Sequence, residues 1–126
     1  MEYWTKNKIS IFVEERSNMK MKDKNIILHT IRETLRRILP VGAKAILFGS
    51  QARGEAQDDS DWDILILLDK PKIEAIDYDN ISYPLRELGW DIRECINPVM
   101  YTLKDWMKYS FSPFYHNVKN EGIDLI

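Results

Sequence analysis

A single cysteine, Cys95, is all the thiol this chain carries, so no disulfide can close within it, and a reducing compartment suits it. An excess of charge of either sign is also lacking. Lys and Arg number 18 against 20 Asp and Glu, a formal net charge of −2. Nothing general therefore draws the chain to nucleic acid or to an acidic membrane surface, and any polyanion it handles must be met by a local site. No apolar run approaches the ~20 residues of a membrane span, and the opening stretch Met1 to Lys8 is polar, without a signal-peptide core. The expectation is a cytoplasmic chain with no membrane association. Repeats, low-complexity segments and linkers are missing too, and 126 residues give room for one domain able to bury a core.

Residues 1–22 read as an N-terminal extension. Ile9, Ile11 and Val13 alternate as in a short strand amid charges, and Met19 and Met21 allow a natural start further in. From Asp23 the pattern turns helical: Ile27, Ile31, Leu35 and Ile38 recur at spacings of three and four, and Pro40 and Gly42 end the helix. A first strand, Lys44 to Phe48, and a second, Asp61 to Leu68, follow. The second is apolar on both faces after its first three residues, so helices are expected above and below it. Ile73, Ile76, Ile81, Leu85 and Leu88 then suit another amphipathic helix, closed by Gly89 and kinked near Tyr83 because Pro84 lacks an amide proton. A third strand is expected from about Trp90 to Tyr101, with Pro98 marking a bulge or an edge. Thr102 to Asp105 resembles a capping box. Ser112-Pro113 opens a last helix that stops at Gly122.

The chemistry concentrates between Ala45 and Asp69. Gly49-Ser50 leaves a buried strand and enters a helix, a turn that points backbone amides outward where an anion is welcome. By itself Gly-Ser is a common pair and reads as a plain turn. Asp61 and Asp63 add the second half. Two residues apart on a strand, they project to one face, separated by roughly 6.5–7 Å. Carboxylates so spaced can hold divalent ions ~3.5–4 Å apart, as in phosphoryl clamps, and magnesium suits such hard oxygen donors. The bland alternative is a solvated turn made of Asp58, Asp59, Asp61 and Asp63. Asp63, however, runs straight into Ile64-Leu65-Ile66-Leu67-Leu68, and acids at the mouth of a buried strand repel each other until a cation joins them. Trp62 should point to the opposite face and pack under a helix.

Gly49-Ser50, ten intervening residues and Asp61-x-Asp63, with Ala52-Arg53-Gly54 and Ser60 between, resembles the signature of the DNA polymerase beta-type nucleotidyltransferases. More narrowly it resembles the minimal, antitoxin-like nucleotidyltransferases. The resemblance implies an α/β fold, a small mixed β-sheet flanked by helices like the polymerase beta palm, over residues 23–126. It implies transfer of a nucleoside monophosphate, AMP from ATP, to a hydroxyl. Gly49 and Ser50 would hold the triphosphate and Asp61 and Asp63 would bind Mg2+. Arg53 would lie near the phosphates or brace the loop, the bland alternative being a surface ion pair to Glu55 or Asp58. Ser60 caps the loop rather than reacting. Catalytic members carry a third carboxylate on the neighbouring strand, and Asp91 or Glu94 would supply it here, alternation favouring Asp91 on the side shared with Arg93, Cys95 and Asn97. His29 and His116 read as ordinary surface residues, and Cys95 as a strand filler. Tyr115, His116 or Lys119 could line the acceptor side, although a packed helix explains that stretch. A tyrosine of a HEPN-type toxin partner is the acceptor the resemblance suggests. The alternatives are a catalytically weak binding module acting by complex formation, and transfer to a small molecule.

Overall fold

The computed structural model describes residues 23–126, so the strand reading of Ile9, Ile11 and Val13 and the extension 1–22 lie outside the described residues. Helix α1, Lys24–Ile38, is capped by Asp23, whose carboxylate accepts from the Asn25 amide at 2.9 Å. Its buried stripe is Ile27, Ile31 and Leu35 with Thr34, the spacing the sequence predicts, and the helix ends as Leu39 meets Pro40. Strand β1, Lys44–Phe48, follows, then a single helical turn α2, Ser50–Arg53, and strand β2, Trp62–Leu68. Two later strands complete the sheet, β3 at Ile96–Thr102 and β4 at Ile123–Asp124, in the order β3-β2-β1-β4. β1 pairs antiparallel with both β2 and β4, whereas β2 and β3 run parallel. The sheet is therefore mixed, as expected.

β2 is the axis of the fold, and its alternation sorts the core in two. Trp62, Ile64, Ile66 and Leu68 face α1 and the helical stretch after β2, where Ile31, Leu35, Ile81, Leu85 and Ile96 meet them. Leu65 and Leu67 face the other way, against Trp106 and Val118, with Phe48, Val99, Tyr101 and Phe114 around them. Helices above and below the strand follow directly. The second layer is built by α5, Leu103–Lys108, and α6, Pro113–Glu121. Both start where the sequence puts them: the Thr102 hydroxyl accepts from the Asp105 amide at 3.0 Å, and Ser112 accepts from Tyr115 at 3.2 Å. Ring contacts tie this side together, Phe114 lying edge-on to both Phe48 and Trp106.

Between β2 and β3 the chain departs from the expected plan. A short turn α3, Ala75–Asp77, leads into a π-helical turn, Tyr78–Ser82, and then into α4, Tyr83–Ile92. The Tyr83 amide donates to the Tyr78 carbonyl five residues back. That widened turn ends where Pro84 can donate nothing, and it spares the proline ring a clash with the preceding carbonyls. The kink expected near Tyr83 is this π turn. Gly89 does not end the helix. It lies buried inside α4, and a Cβ there would meet the Glu94 carbonyl at 2.6 Å and the Ile96 amide at 3.2 Å. The glycine is needed for a close approach rather than for a stop. The stop is Arg93, in the left-handed region at φ 58°, with the Glu94 amide donating to the Gly89 carbonyl at 2.8 Å. β3 consequently begins six residues later than expected. Its in-register pairing with β2 shows no bulge at Pro98, which lies on an edge strand, where its missing donor is tolerated.

Asp77 anchors the start of this helical stretch. Its carboxylate accepts from the Glu74 amide at 2.7 Å and from Lys70 Nζ at 2.8 and 3.1 Å. Burial alone would raise its pKa, but the Lys70 hydrogen bond, the Glu74 amide and the Lys70 charge together hold it below the ordinary 3.8. A folded value below the unfolded one means that the stabilisation is present above the ordinary carboxylate range and is lost as pH falls through the depressed value. Denaturant melts from pH 7 to 3 should therefore show a smaller acid-driven loss for Asp77→Asn than for the parent chain. In the same assay Gly89→Ala should lower stability by about 1–3 kcal/mol, with the midpoint moving and the denaturant slope unchanged.

Candidate active site

The site forms where β1 ends and β2 begins. Phe48 pairs with Asp63, so the residue after Phe48, Gly49, turns directly over the start of β2. Gly49 sits at φ 77° and ψ −160°, and a Cβ there would collide with Asp63 Oδ2. Both the backbone conformation and the close approach therefore require glycine. From this turn, Gly49 caps a helix of only four residues, its carbonyl accepting from Ala52 at 3.1 Å and Arg53 at 3.2 Å. The helix is too short for much of a dipole, so any anion here depends on the individual amides and on the Ser50 hydroxyl.

The loop from Gly54 to Asp61 is braced internally. Ser60 Oγ accepts from the Gln57 amide at 2.8 Å, which is the capping role expected of it, and Gln51 Nε2 donates to the Ser60 carbonyl at 3.3 Å. Arg53 donates to Glu55 at 2.8 Å and reaches Glu121 of α6 at 3.5 Å. The Glu55 hydrogen bond is the main reason its pKa stands above the usual arginine value. Arg53 makes the surface ion pair, to Glu55 rather than Asp58 and with Glu121 added.

Parity along β2 puts Asp63 on the side of Leu65 and Leu67, while Trp62 is buried on the other at 2% exposure, and Asp61 and Asp63 both act on Cys95. Asp61 is exposed, just ahead of the strand, and Asp63 is half-buried at its mouth. Both acids have polar neighbours from β3 and the residue before it. Cys95 lies beside the Asp61 carboxylate, and hydrogen bonding to it, then burial and the nearby acids, push the thiol pKa above its ordinary 9.0, while Arg86 pulls the other way. Asn97 stands opposite Asp63 in the parallel register and donates from Nδ2 to Asp63 Oδ1 at 3.0 Å. Cys95 is thus more than a strand filler, and Asn97, expected only to share the open side, contacts Asp63 directly. Alternation along β3 was the signal that could have singled it out.

The proposed third carboxylates do not reach the pair. Asp91 lies on α4 and is exposed, because the helix runs on through Ile92 and the strand on which alternation favoured Asp91 has not begun. Glu94 is in the turn after the helix, and its Oε1 accepts from the indole of Trp62 at 2.8 Å. That indole belongs to the core on the far side of the sheet, so Glu94 faces away from Asp61 and Asp63. His29 and His116 are exposed. Tyr115 packs on Trp106, with ring centroids 5.1 Å apart. Among the described residues no group of three or more His, Cys, Asp or Glu comes together as a metal cluster. Two carboxylates beside a glycine turn are nevertheless a donor set that suits a hard divalent ion arriving with phosphate oxygens of its own.

Residues 28–116 match the model of a family described as nucleotidyltransferase domain. Among solved structures, the chain is similar to "Crystal structure of the toxin-antitoxin with AMP-PNP", at 21% identity and a TM-score of 0.56, over 79% of this chain and 72% of that one. It is also similar to a mutant of the MntA-HpeT toxin-antitoxin, at 19% identity and a TM-score of 0.55, over 79% and 72% of the two chains. Comparison with curated proteins gives no match.

The contact between Gly49 and Asp63 can be measured as a coupling. Gly49→Ala should destabilise the fold by about 1–3 kcal/mol through backbone strain at its positive φ and overpacking against Asp63. Trimming the carboxylate in Gly49→Ala/Asp63→Ala should recover ~0.5 kcal/mol or more of that cost in a double-mutant cycle read by denaturant melts.

Proposed function

The chain belongs to the nucleotidyltransferase domain family, and from that premise we propose that it transfers a nucleoside monophosphate, AMP from ATP, to a hydroxyl group. The observation that carries this reading is Gly49 lying against Asp63, with Asp61 just ahead of the same strand. A triphosphate held by the Gly49 and Ser50 amides and the Ser50 hydroxyl has its phosphates directed at the two acids. Asp61 and Asp63 would hold magnesium, which when bound neutralises phosphate charge and favours departure of pyrophosphate.

The acceptor oxygen attacks the α-phosphorus, the bond to the β-phosphate oxygen breaks, and pyrophosphate leaves. Asp91 is an exposed residue of α4, and Glu94 accepts from the Trp62 indole. The acceptor proton then leaves to water at the open mouth beside Asp61. A general base supplies ~10²–10⁴-fold, so turnover without one is slow. Arg53 acts from a distance, keeping the loop between Gly54 and Asp61 fixed to α6.

The acceptor we propose is a hydroxyl on a partner protein, a tyrosine of a HEPN-type toxin, in the cytoplasm. The support is the similarity in fold to proteins whose structures are titled as toxin-antitoxin, one of them with AMP-PNP. A second reading has its own observation. The strand position opposite Asp63 carries the neutral Asn97, which suits an antitoxin that works chiefly by covering its partner.

Incubation with α-labelled ATP, magnesium and the product of the adjacent open reading frame separates these readings. Label should appear on the partner and fall by roughly 10²-fold or more in Asp61→Ala and Asp63→Ala, the scale on which one transition-state stabiliser acts. A tight complex that never takes label, in the parent chain or in either variant, would leave the covering role alone standing.

A further inference from the structure

The group that steadies Asp63 is an amide. Asn97 pairs with Asp63 in the parallel ladder, and its Nδ2 occupies one carboxylate oxygen, Oδ1, at 3.0 Å. The other oxygen, Oδ2, lies on the Gly49 side, in the space a side chain at that turn would fill. Asp63 is thus held by one oxygen while offering the other to the turn. The hold is itself rigid, because Val99 and Tyr101, on the same face of β3 as Asn97, pack into the core with Trp106.

We infer that Asn97 is the positioning residue of this site, fixing the Asp63 carboxylate so that Oδ2 is presented to a metal-bound triphosphate. This rests on the nucleotidyltransferase reading. Two physical consequences follow. Removing the amide frees Asp63 to rotate, so that binding must order it again. Replacing the amide by an acid sets two carboxylates within hydrogen-bonding distance, where they repel until a cation sits between them. The neutral side chain therefore also limits the negative charge that the site must bear without a cation.

Three chains decide the matter: the parent, Asn97→Ala and Asn97→Asp. Calorimetry with ATP and magnesium should show affinity about 10–100-fold weaker for Asn97→Ala, the usual cost of losing a group that orients a metal ligand, with a ligand-free melting temperature close to that of the parent. Asn97→Asp should melt lower in chelator and regain its stability with magnesium alone, a response larger than the parent's. A residue that only packs would give neither result. Parent-like affinity in Asn97→Ala, or a magnesium response in Asn97→Asp no greater than the parent's, overturns the inference. If Asn97→Ala does not fold, the magnesium response of Asn97→Asp decides alone. If the parent takes up no nucleotide, the nucleotidyltransferase reading is what fails, and the magnesium-dependent melting still judges Asn97 separately.

Discussion

Everything at the mouth of the sheet depends on where one carboxylate is held. Asp63 is paired across β1 with Phe48, across β3 with Asn97, and is overlain by the turn at Gly49. Its position is therefore set by three strands at once, and those strands are set by the core. β2 is buried on both faces from Ile64 to Leu68, and shifting its register by one residue would turn every side chain to the wrong layer. The same hydrophobic constraint that builds the domain thus aims the acids. No separate device is needed to point Asp61 and Asp63 the same way, because burying Trp62, Ile64 and Ile66 on one side leaves the odd-numbered residues to the other.

How much of this is legible in the sequence depends on how local the cause is. The apolar run after Asp63 gives β2, and strand alternation then gives the shared side of the two acids. The caps at Thr102 and Ser112 are equally plain, since each is a side chain bonding an amide three residues on. What fails is whatever depends on a distant contact. Gly89 looks like a helix end, yet it is a packing position against Glu94 and Ile96, and the true end is a non-glycine in the left-handed region. Taking Gly89 as the helix end shifts the start of β3 and with it both candidate bases. Glu94 is drawn to the indole of Trp62, a partner 32 positions away that periodicity cannot reveal. β4 is invisible for the same reason: two residues form a strand only because β1 lies open beside them.

The loop between the turn and the acids is polar and exposed for most of its length, and loops of that kind are usually the least ordered part of a site. Here Gln51, Ser60, Arg53 and Glu121 bind it at both ends. Each bond is at or near the surface and individually worth little. Together they join the loop to α2 and to α6, two elements already seated against the sheet. Contacts that add little to folding can still narrow the range of positions open to Asp61.

The final residues of the chain carry a different lesson. Ile123 and Asp124 cover part of the open edge of β1, Leu125 is buried and donates to the Ala45 carbonyl at 2.8 Å, and Arg32 grips the Asp124 carbonyl at 3.0 Å. An exposed strand edge is a template on which other chains can polymerise. This short strand thus shields part of the β1 edge from pairing with another chain, and a change that loosens it would lay that edge open.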